Sequence, residues 1–164
     1  QTKQDQRILD VQKFQIREAL RNSLSGAGTS IDMGDYGKVD VITDDLYNLY
    51  SFEELHDADV VYSSHCLEHL ANDTAAIKSW WMLLKDGGTL ILYLPDGKKY
   101  SNEGNMEHMR DYTYDNFLFY FKRVFCGEGK DFKGQNFYKY FELVHSQEDF
   151  REDCYSFLII AKKL

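Results

Sequence analysis

The chain has 164 residues, of which 43% are apolar, 28% charged and 15% aromatic, with a single proline. This composition excludes disordered, collagen-like and low-complexity proteins, and the length suffices for one sizeable hydrophobic core. The net charge of −8 is concentrated between Asp32 and Asp59, where nine acidic residues accompany one lysine. Because such a surface repels phosphate backbones, we expect no general nucleic-acid binding.

Neither membrane insertion nor export is indicated. No window approaches about 18 consecutive apolar residues, and no apolar signal segment follows the polar start of the sequence. We therefore expect a cytoplasmic protein that does not associate with membranes. The three cysteines, Cys66, Cys126 and Cys154, lack C-x-x-C spacing, so no disulfide framework or cysteine-built zinc site is predicted.

The first 32 residues allow two interpretations. Arg7 to Val11 can form a strand, followed by a helix that stops at Gly26 and a second strand that ends at Asp32. Alternatively, Asp10 caps a single helix that runs to Leu24. We prefer the first interpretation because it gives a βαβ unit with a crossover of ordinary length.

Further along, short apolar runs predict strands that are buried on both faces, as in a parallel sheet. These runs are Val39 to Ile42, Val60 to Tyr62, Leu90 to Leu94 and Phe157 to Ala161. Asn72 or Asp73 is expected to cap an amphipathic helix that ends at Gly87-Gly88. A strand from Thr89 to Leu94 then completes a βαβ unit.

After Pro95 the chain is rich in aromatic residues. We expect one helix that begins near Thr113. The end of the sequence predicts a hairpin of two strands, Tyr140 to His145 and Tyr155 to Ala161. No repeat or linker is visible, so residues 1–164 are predicted to form one domain.

Each predicted strand ends in polar residues, where open parallel sheets bind their ligands. These residues are Asp10, Asp32, Asp44 with Asp45, Ser63-Ser64-His65 and Asp96. An acid at the end of a second strand is suited to accept hydrogen bonds from a ribose diol. Any one of these residues alone would be read as a loop acid or a helix cap, but their joint placement predicts a ligand site.

Several segments, in this order, resemble class I S-adenosylmethionine-dependent methyltransferases. They are SIDMG at 30–34, VDVITDDL at 39–46, DVVYSSHCLEHL at 59–70, WWMLLKDGGTL at 80–90, LPD at 94–96 and SFLIIAKK at 156–163. The resemblance implies a Rossmann-like, doubly wound α/β fold. Its sheet would be seven-stranded and mostly parallel, with an antiparallel C-terminal hairpin strand, and residues 97–140 would form the variable acceptor side.

The resemblance also implies a site for S-adenosyl-L-methionine at the strand ends. The positions that would contact this cofactor are Asp10, Asp32, Met33, Asp44, Asp45, Leu46, Ser63, Ser64 and His65. Asp32 would hold the ribose hydroxyls, Met33 would pack on the adenine, and Ser63 to His65 would flank the methionine moiety. Acidic acceptors suit a ligand that presents hydroxyls, an exocyclic amine and a sulfonium cation.

Two histidines are candidates for catalysis. Glu107 to Thr113 resembles the segment that follows the fifth strand in related methyltransferases, and it carries His108. An imidazole titrates near neutral pH, so His108 or His65 could take the proton of an acceptor hydroxyl or amine. The expected activity is methyl transfer to an unidentified small-molecule acceptor.

One part of the chain departs from this family. The first predicted strand, ending at Asp10-Val11, is followed by Gln12 to Ile16 without the glycine-rich loop that lets a backbone approach a cofactor. Two explanations remain: an altered cofactor site, or a loop that belongs between Val11 and Phe14 and is missing from this sequence. The first explanation leads to an alternative function, a catalytically inactive methyltransferase-like module for binding or assembly.

The stretch His65-Cys66-Leu67-Glu68-His69 also matches H-x-x-E-H, the inverted zinc-protease spacing. In those enzymes the two histidines bind zinc from one helix and the glutamate acts as the base. Here the motif directly follows a predicted buried strand, and the methyltransferase pattern already explains its Leu-Glu-His-Leu portion. We therefore predict no metal ion and expect Glu68 and His69 to serve the first turn of a helix.

Overall fold

The computed structural model describes residues 31–32, 41–42, 45–100, 108–148 and 155–164, the first two pairs by their backbone alone. The described strands and helices are β1 (Ile31–Asp32), β2 (Val41–Ile42), β3 (Ala58–Ser64), α1 (Asp73–Leu83), β4 (Leu84–Pro95), α2 (Tyr114–Phe125), β5 (Phe141–Gln147) and β6 (Ser156–Lys163). The chain divides into two compact units, Gln1–Asp45 and Leu46–Leu164. The first strand predicted at Arg7 to Val11, and its helical alternative, lie outside the described residues.

In the first unit, β1 and β2 form a parallel pair. Ile31 lies opposite Val41, and Asp32 lies opposite Ile42. Both strands occur where the sequence predicts strands, and Asp32 is the last residue of β1.

In the second unit, four strands form one mixed sheet in the order β3-β4-β6-β5. The β3–β4 pair is parallel, whereas β6 runs antiparallel to both of its neighbours. The α/β class and the C-terminal hairpin of β5 and β6 are thus confirmed. The expected antiparallel C-terminal strand is seen, because β6 lies between β4 and β5 and is antiparallel to both. A mostly parallel sheet of seven strands is not confirmed: in the described residues this sheet has four strands, and two of its three strand pairs are antiparallel.

Helix α1 begins as predicted but ends early. The Asn72 side chain accepts a hydrogen bond from the Ala75 N–H at 3.0 Å, which caps the helix. The helix ends at Leu83 rather than at Gly87-Gly88, because Leu84 is extended and pairs with Ala58 of β3. The next aligned pair is Val60 with Thr89, so the glycines lie in an irregular part of β4.

The interior of the second unit is built on β4 and β6. Leu92 lies opposite Ile159, and Ile91 lies opposite Ile160 on the other face of the same two strands. All four side chains are buried. For β4 and β6, burial on both faces agrees with the prediction from their apolar runs. The prediction is wrong for Val60 to Tyr62 in β3, where Tyr62 is exposed.

Helix α2 packs onto this sheet through phenylalanines. It begins after Thr113, whose hydroxyl accepts a hydrogen bond from the Asn116 N–H, as the sequence predicted. The ring of Phe117 lies 5.8 Å from that of Phe157 in β6, and the rings of Phe121 and Phe141 are 5.9 Å apart. The segment before α2 contacts the start of α1 and the residues after β4: the Tyr112 hydroxyl donates to Asp73 Oδ2, and the Gly97 N–H donates to the Tyr112 carbonyl.

Candidate functional site

The carboxyl end of β3 turns sharply at His65. The His65 N–H donates to the Tyr93 carbonyl at 3.0 Å, which extends the pairing with β4 by one residue. Its φ of 49° is in the left-handed region that a residue with a Cβ rarely adopts. The chain then enters a single 3-10 turn, Leu67–His69, so the H-x-x-E-H segment does not lie on a long helix.

The His65 imidazole joins this turn to β6. Its Nε2 atom forms a hydrogen bond of 3.0 Å with the Ser156 hydroxyl, and its ring packs edge-on against Tyr93 and Tyr155. Burial lowers the pKa of His65 below its ordinary value, and the nearby His108 and His69 lower it further. The imidazole is therefore neutral at neutral pH and can accept a proton.

Glu68 lies at the centre of a group that we call the histidine–glutamate cluster: His65, Glu68, His69 and His108. The Glu68 side chain is fully buried, and its Oε1 atom lies 3.6 Å from His65 Nδ1 and 3.8 Å from His69 Nε2. Burial raises the pKa of the Glu68 carboxyl above its ordinary value, and the neighbouring His69 lowers it. Within the described part of the chain, neither carboxylate oxygen has a hydrogen-bond partner.

His108 reaches the cluster from a distant part of the chain. Its ring lies 4.7 Å from that of His69, nearly perpendicular to it, and 5.8 Å from the ring of Tyr100. The next residue, Met109, donates its backbone N–H to the Glu68 carbonyl at 2.8 Å. The structure therefore brings both predicted catalytic histidines, His65 and His108, to the carboxyl end of β3.

Two buried polar side chains lie at the same edge of the sheet. Ser63 is the one buried residue of β3, and Asp96 directly follows β4. Asp96 Oδ1 accepts from the Lys98 N–H at 3.0 Å, but among described residues its Oδ2 atom and the Ser63 hydroxyl have no hydrogen-bond partner. Both atoms are acceptors that a bound polar ligand could use.

The structure describes only some of the other residues that were predicted to contact the cofactor. Asp45 and Ser64 are exposed, and Leu46 is buried. Asp32 ends β1, for which the structure describes the backbone alone. Asp10, Met33 and Asp44 lie outside the described residues, as does the glycine-free segment after Val11.

An open groove of about 810 Å³ lies beside the first turns of α1 and α2. Its lining is mixed: Ala71, Asn72, Asp73, Thr74, Arg110, Asp111, Tyr112, Asn116, Phe117 and Tyr120. The groove and the histidine–glutamate cluster share one loop, because Arg110 follows His108 by two residues. A small molecule fits a groove of this size.

The sequence did not single out the buried carboxylate at the base of this groove. Asp73 Oδ2 accepts from the Tyr112 hydroxyl at 3.0 Å, and Oδ1 accepts from the Tyr120 hydroxyl at 3.1 Å. The Thr74 N–H also donates to Oδ1 at 2.7 Å, and Arg110 Nε lies 3.7 Å from Oδ2. The sequence offered Asp73 only as a helix cap, and nothing local in it marks the two tyrosines as partners.

The amino-acid sequence of this protein matches that of a known protein family. The sequence model of the methyltransferase domain matches residues 10–92, which include β1 to β3, α1 and most of β4. A search of curated proteins finds no match to this chain. Among the residues that the structure describes, no helix combines the length and apolar character needed to cross a membrane. The family match covers half of the chain, so this protein belongs to the methyltransferase-domain family, which confirms its resemblance to class I methyltransferases.

Proposed function

We propose that this protein transfers a methyl group from S-adenosyl-L-methionine to a small-molecule acceptor. The observation that carries the proposal is the position of His65, a neutral, half-buried base at the carboxyl end of β3 in a methyltransferase domain. Ligands of open α/β sheets bind at that edge. The net charge of −8 favours a small acceptor over a nucleic acid.

The residues at this edge fit the chemistry of the methyl donor. The buried Ser63 hydroxyl and Asp96 Oδ2 lack partners in the described part of the chain, and both can accept hydrogen bonds from an ammonium or a hydroxyl group. When bound, S-adenosyl-L-methionine supplies an electrophilic methyl group on a positively charged sulfur. The predicted contacts are Asp10, Asp32, Met33, Asp44, Asp45, Leu46, Ser63, Ser64 and His65.

His65 is the proposed base, and His108 is the second candidate. A neutral imidazole nitrogen would take the proton of the acceptor O–H or N–H as the acceptor atom bonds to the methyl carbon. The bond from that carbon to the donor sulfur would break in the same step, and the demethylated thioether would leave. The open groove beside α1 and α2 would hold the rest of the acceptor and orient it towards the base.

Calorimetric titration with S-adenosyl-L-methionine and its demethylated product tests the donor site. We expect both to bind with micromolar affinity, and Asp32→Ala to weaken both at least about tenfold, the loss of roughly one charged hydrogen bond. Asp86→Ala is the matched control, because the Asp86 side chain is 96% exposed. Unchanged affinity in Asp32→Ala would remove Asp32 from the site.

The same titration separates the two candidate functions. Binding of neither ligand to a sample that is folded by circular dichroism would overturn the proposal and favour the catalytically inactive module. The glycine-free segment after Asp10-Val11 is the observation on which that alternative rests.

A further inference from the structure

Glu68, His69 and His108 have the composition and the spacing of a metal site. One nitrogen or oxygen atom from each residue lies within 4.8 Å of the corresponding atoms of the other two. Two imidazoles and one carboxylate are the protein ligands of many catalytic zinc sites, which keep a fourth position open. We propose that these three side chains bind one divalent transition-metal ion, with Zn²⁺ the ion that this ligand set favours.

The distances require only small side-chain movements. Zinc–ligand bonds of about 2.0–2.2 Å place tetrahedral ligand atoms about 3.4 Å apart. Glu68 Oε1 and His69 Nε2 are 3.8 Å apart, and the His69 and His108 rings are 4.7 Å apart. His69 and His108 are both partly exposed, so an ion from solution can reach them.

The Glu68 carboxylate is an independent indication of a cation. It is fully buried, and in the described part of the chain neither of its oxygens has a hydrogen bond. Buried carboxylates are ordinarily paired, hydrogen-bonded or bound to a metal. A cation between Glu68 and the two imidazoles would satisfy this group.

The backbone holds the three ligands in place before any ion binds. Glu68 and His69 are adjacent in one 3-10 turn. The Met109 and Arg110 N–H groups both donate to the Glu68 carbonyl, at 2.8 and 3.3 Å, which fixes the loop that carries His108. Such preorganisation reduces the loss of conformational freedom on binding.

His65 is placed to orient the carboxylate rather than to complete the ligand set. Its Nδ1 atom lies 3.6 Å from Glu68 Oε1, while Nε2 is engaged by Ser156. Partners of this kind tune metal affinity without contacting the ion.

This inference revises the prediction that no metal is bound. The H-x-x-E-H segment suggested zinc held by His65 and His69, with Glu68 as a base. The structure instead makes Glu68 a ligand and supplies the second imidazole from His108, 39 residues beyond His69.

Calorimetric titration of the whole, chelator-stripped chain with zinc chloride tests the site. We expect one equivalent to bind, and His108→Asn and His69→Asn each to weaken binding at least about tenfold. His145→Asn is the matched control, because His145 lies in β5, at the opposite edge of the sheet from β3. Glu68→Gln serves as a third variant if circular dichroism shows that it folds.

Cobalt(II) provides a second readout, because visible absorption reports its coordination by nitrogen and oxygen. We expect a cobalt spectrum in the wild-type protein that His108→Asn abolishes and His145→Asn keeps. Absence of zinc binding in the wild-type protein, or a zinc affinity equal to that of the wild type in either His108→Asn or His69→Asn, would overturn the proposal. Zinc binding without donor binding would overturn only the proposed function, and donor binding without zinc binding would overturn only this inference.

Discussion

Replacing Tyr112 by phenylalanine tests whether the buried carboxylate of Asp73 is a charged hydrogen-bond acceptor that stabilises the fold. The Tyr112 hydroxyl donates to Asp73 Oδ2 at 3.0 Å, and both residues are buried. A hydrogen bond to a charged group contributes about 1.5–3 kcal/mol to stability. For a chain of this size about 1 kcal/mol corresponds to roughly 2–4 °C, so we expect the melting temperature to fall by about 3–12 °C.

Urea unfolding followed by circular dichroism measures the loss directly. Tyr138→Phe is the matched control, because Tyr138 is 64% exposed and its hydroxyl should contribute little. A loss below about 0.5 kcal/mol for Tyr112→Phe, with an unchanged denaturant dependence, would refute the assignment of this hydrogen bond to a charged acceptor.

The pH dependence of this difference provides a second check. Burial, then the charge and hydrogen bond of Asp73, raise the pKa of Tyr112 above its ordinary value of 10.0. A raised folded-state pKa gives a stabilisation that is complete below about pH 10 and is lost at higher pH, as the unfolded tyrosine ionises first. The difference between wild type and Tyr112→Phe should therefore shrink above pH 10, by at most about 1.4 kcal/mol per pH unit. A difference that stays constant there would contradict the raised pKa.

Three further changes test other parts of the structure. Asn72→Ala removes the cap on the Ala75 N–H and should cost about 1 kcal/mol in thermal unfolding; a loss near zero would remove Asn72 from the cap. Gly88→Ala places a Cβ 2.8 Å from the Lys85 carbonyl oxygen, so we expect a loss of about 1–3 kcal/mol, and wild-type stability would contradict that close approach. If His65 is the base, kcat/KM for methyl transfer should rise with pH through a midpoint below 6.5, and a midpoint above 7 would point to another group.

The sequence predicted the elements whose signals are local. Side-chain caps at Asn72 and Thr113 mark the starts of both described helices, and the apolar run from Leu90 to Leu94 marks a strand that is buried on both faces. The predicted end of α1 at Gly87-Gly88 was wrong, because a pair of glycines is an equally good signal for an irregular turn within a strand. Leu84 leaves the helix to pair with Ala58, and no pattern near Leu84 reports that partner.

The candidate site depends on contacts that the sequence does not encode locally. The sequence predicted His65 as a site residue because it follows a strand. Its hydrogen bond to Ser156 joins residues 91 positions apart, and no local pattern predicts that contact. His108 was selected as an isolated base, and its approach to His69 follows from how the loop before α2 is tied to the Glu68 carbonyl. The complete burial of Glu68 follows from the same packing, so the sequence could suggest the residues of the cluster but not their assembly.

The position of β6 has a consequence for biosynthesis. This strand occupies residues 156–163, yet it lies between β4 and β5, so neither of those strands has its β6 partner until β6 has left the ribosome. A nascent chain that pauses earlier would hold β4 with an open, apolar edge from Leu90 to Leu94, which is a template for pairing with other chains. A chain in which β6 has not yet formed is therefore expected to aggregate more readily than the folded protein.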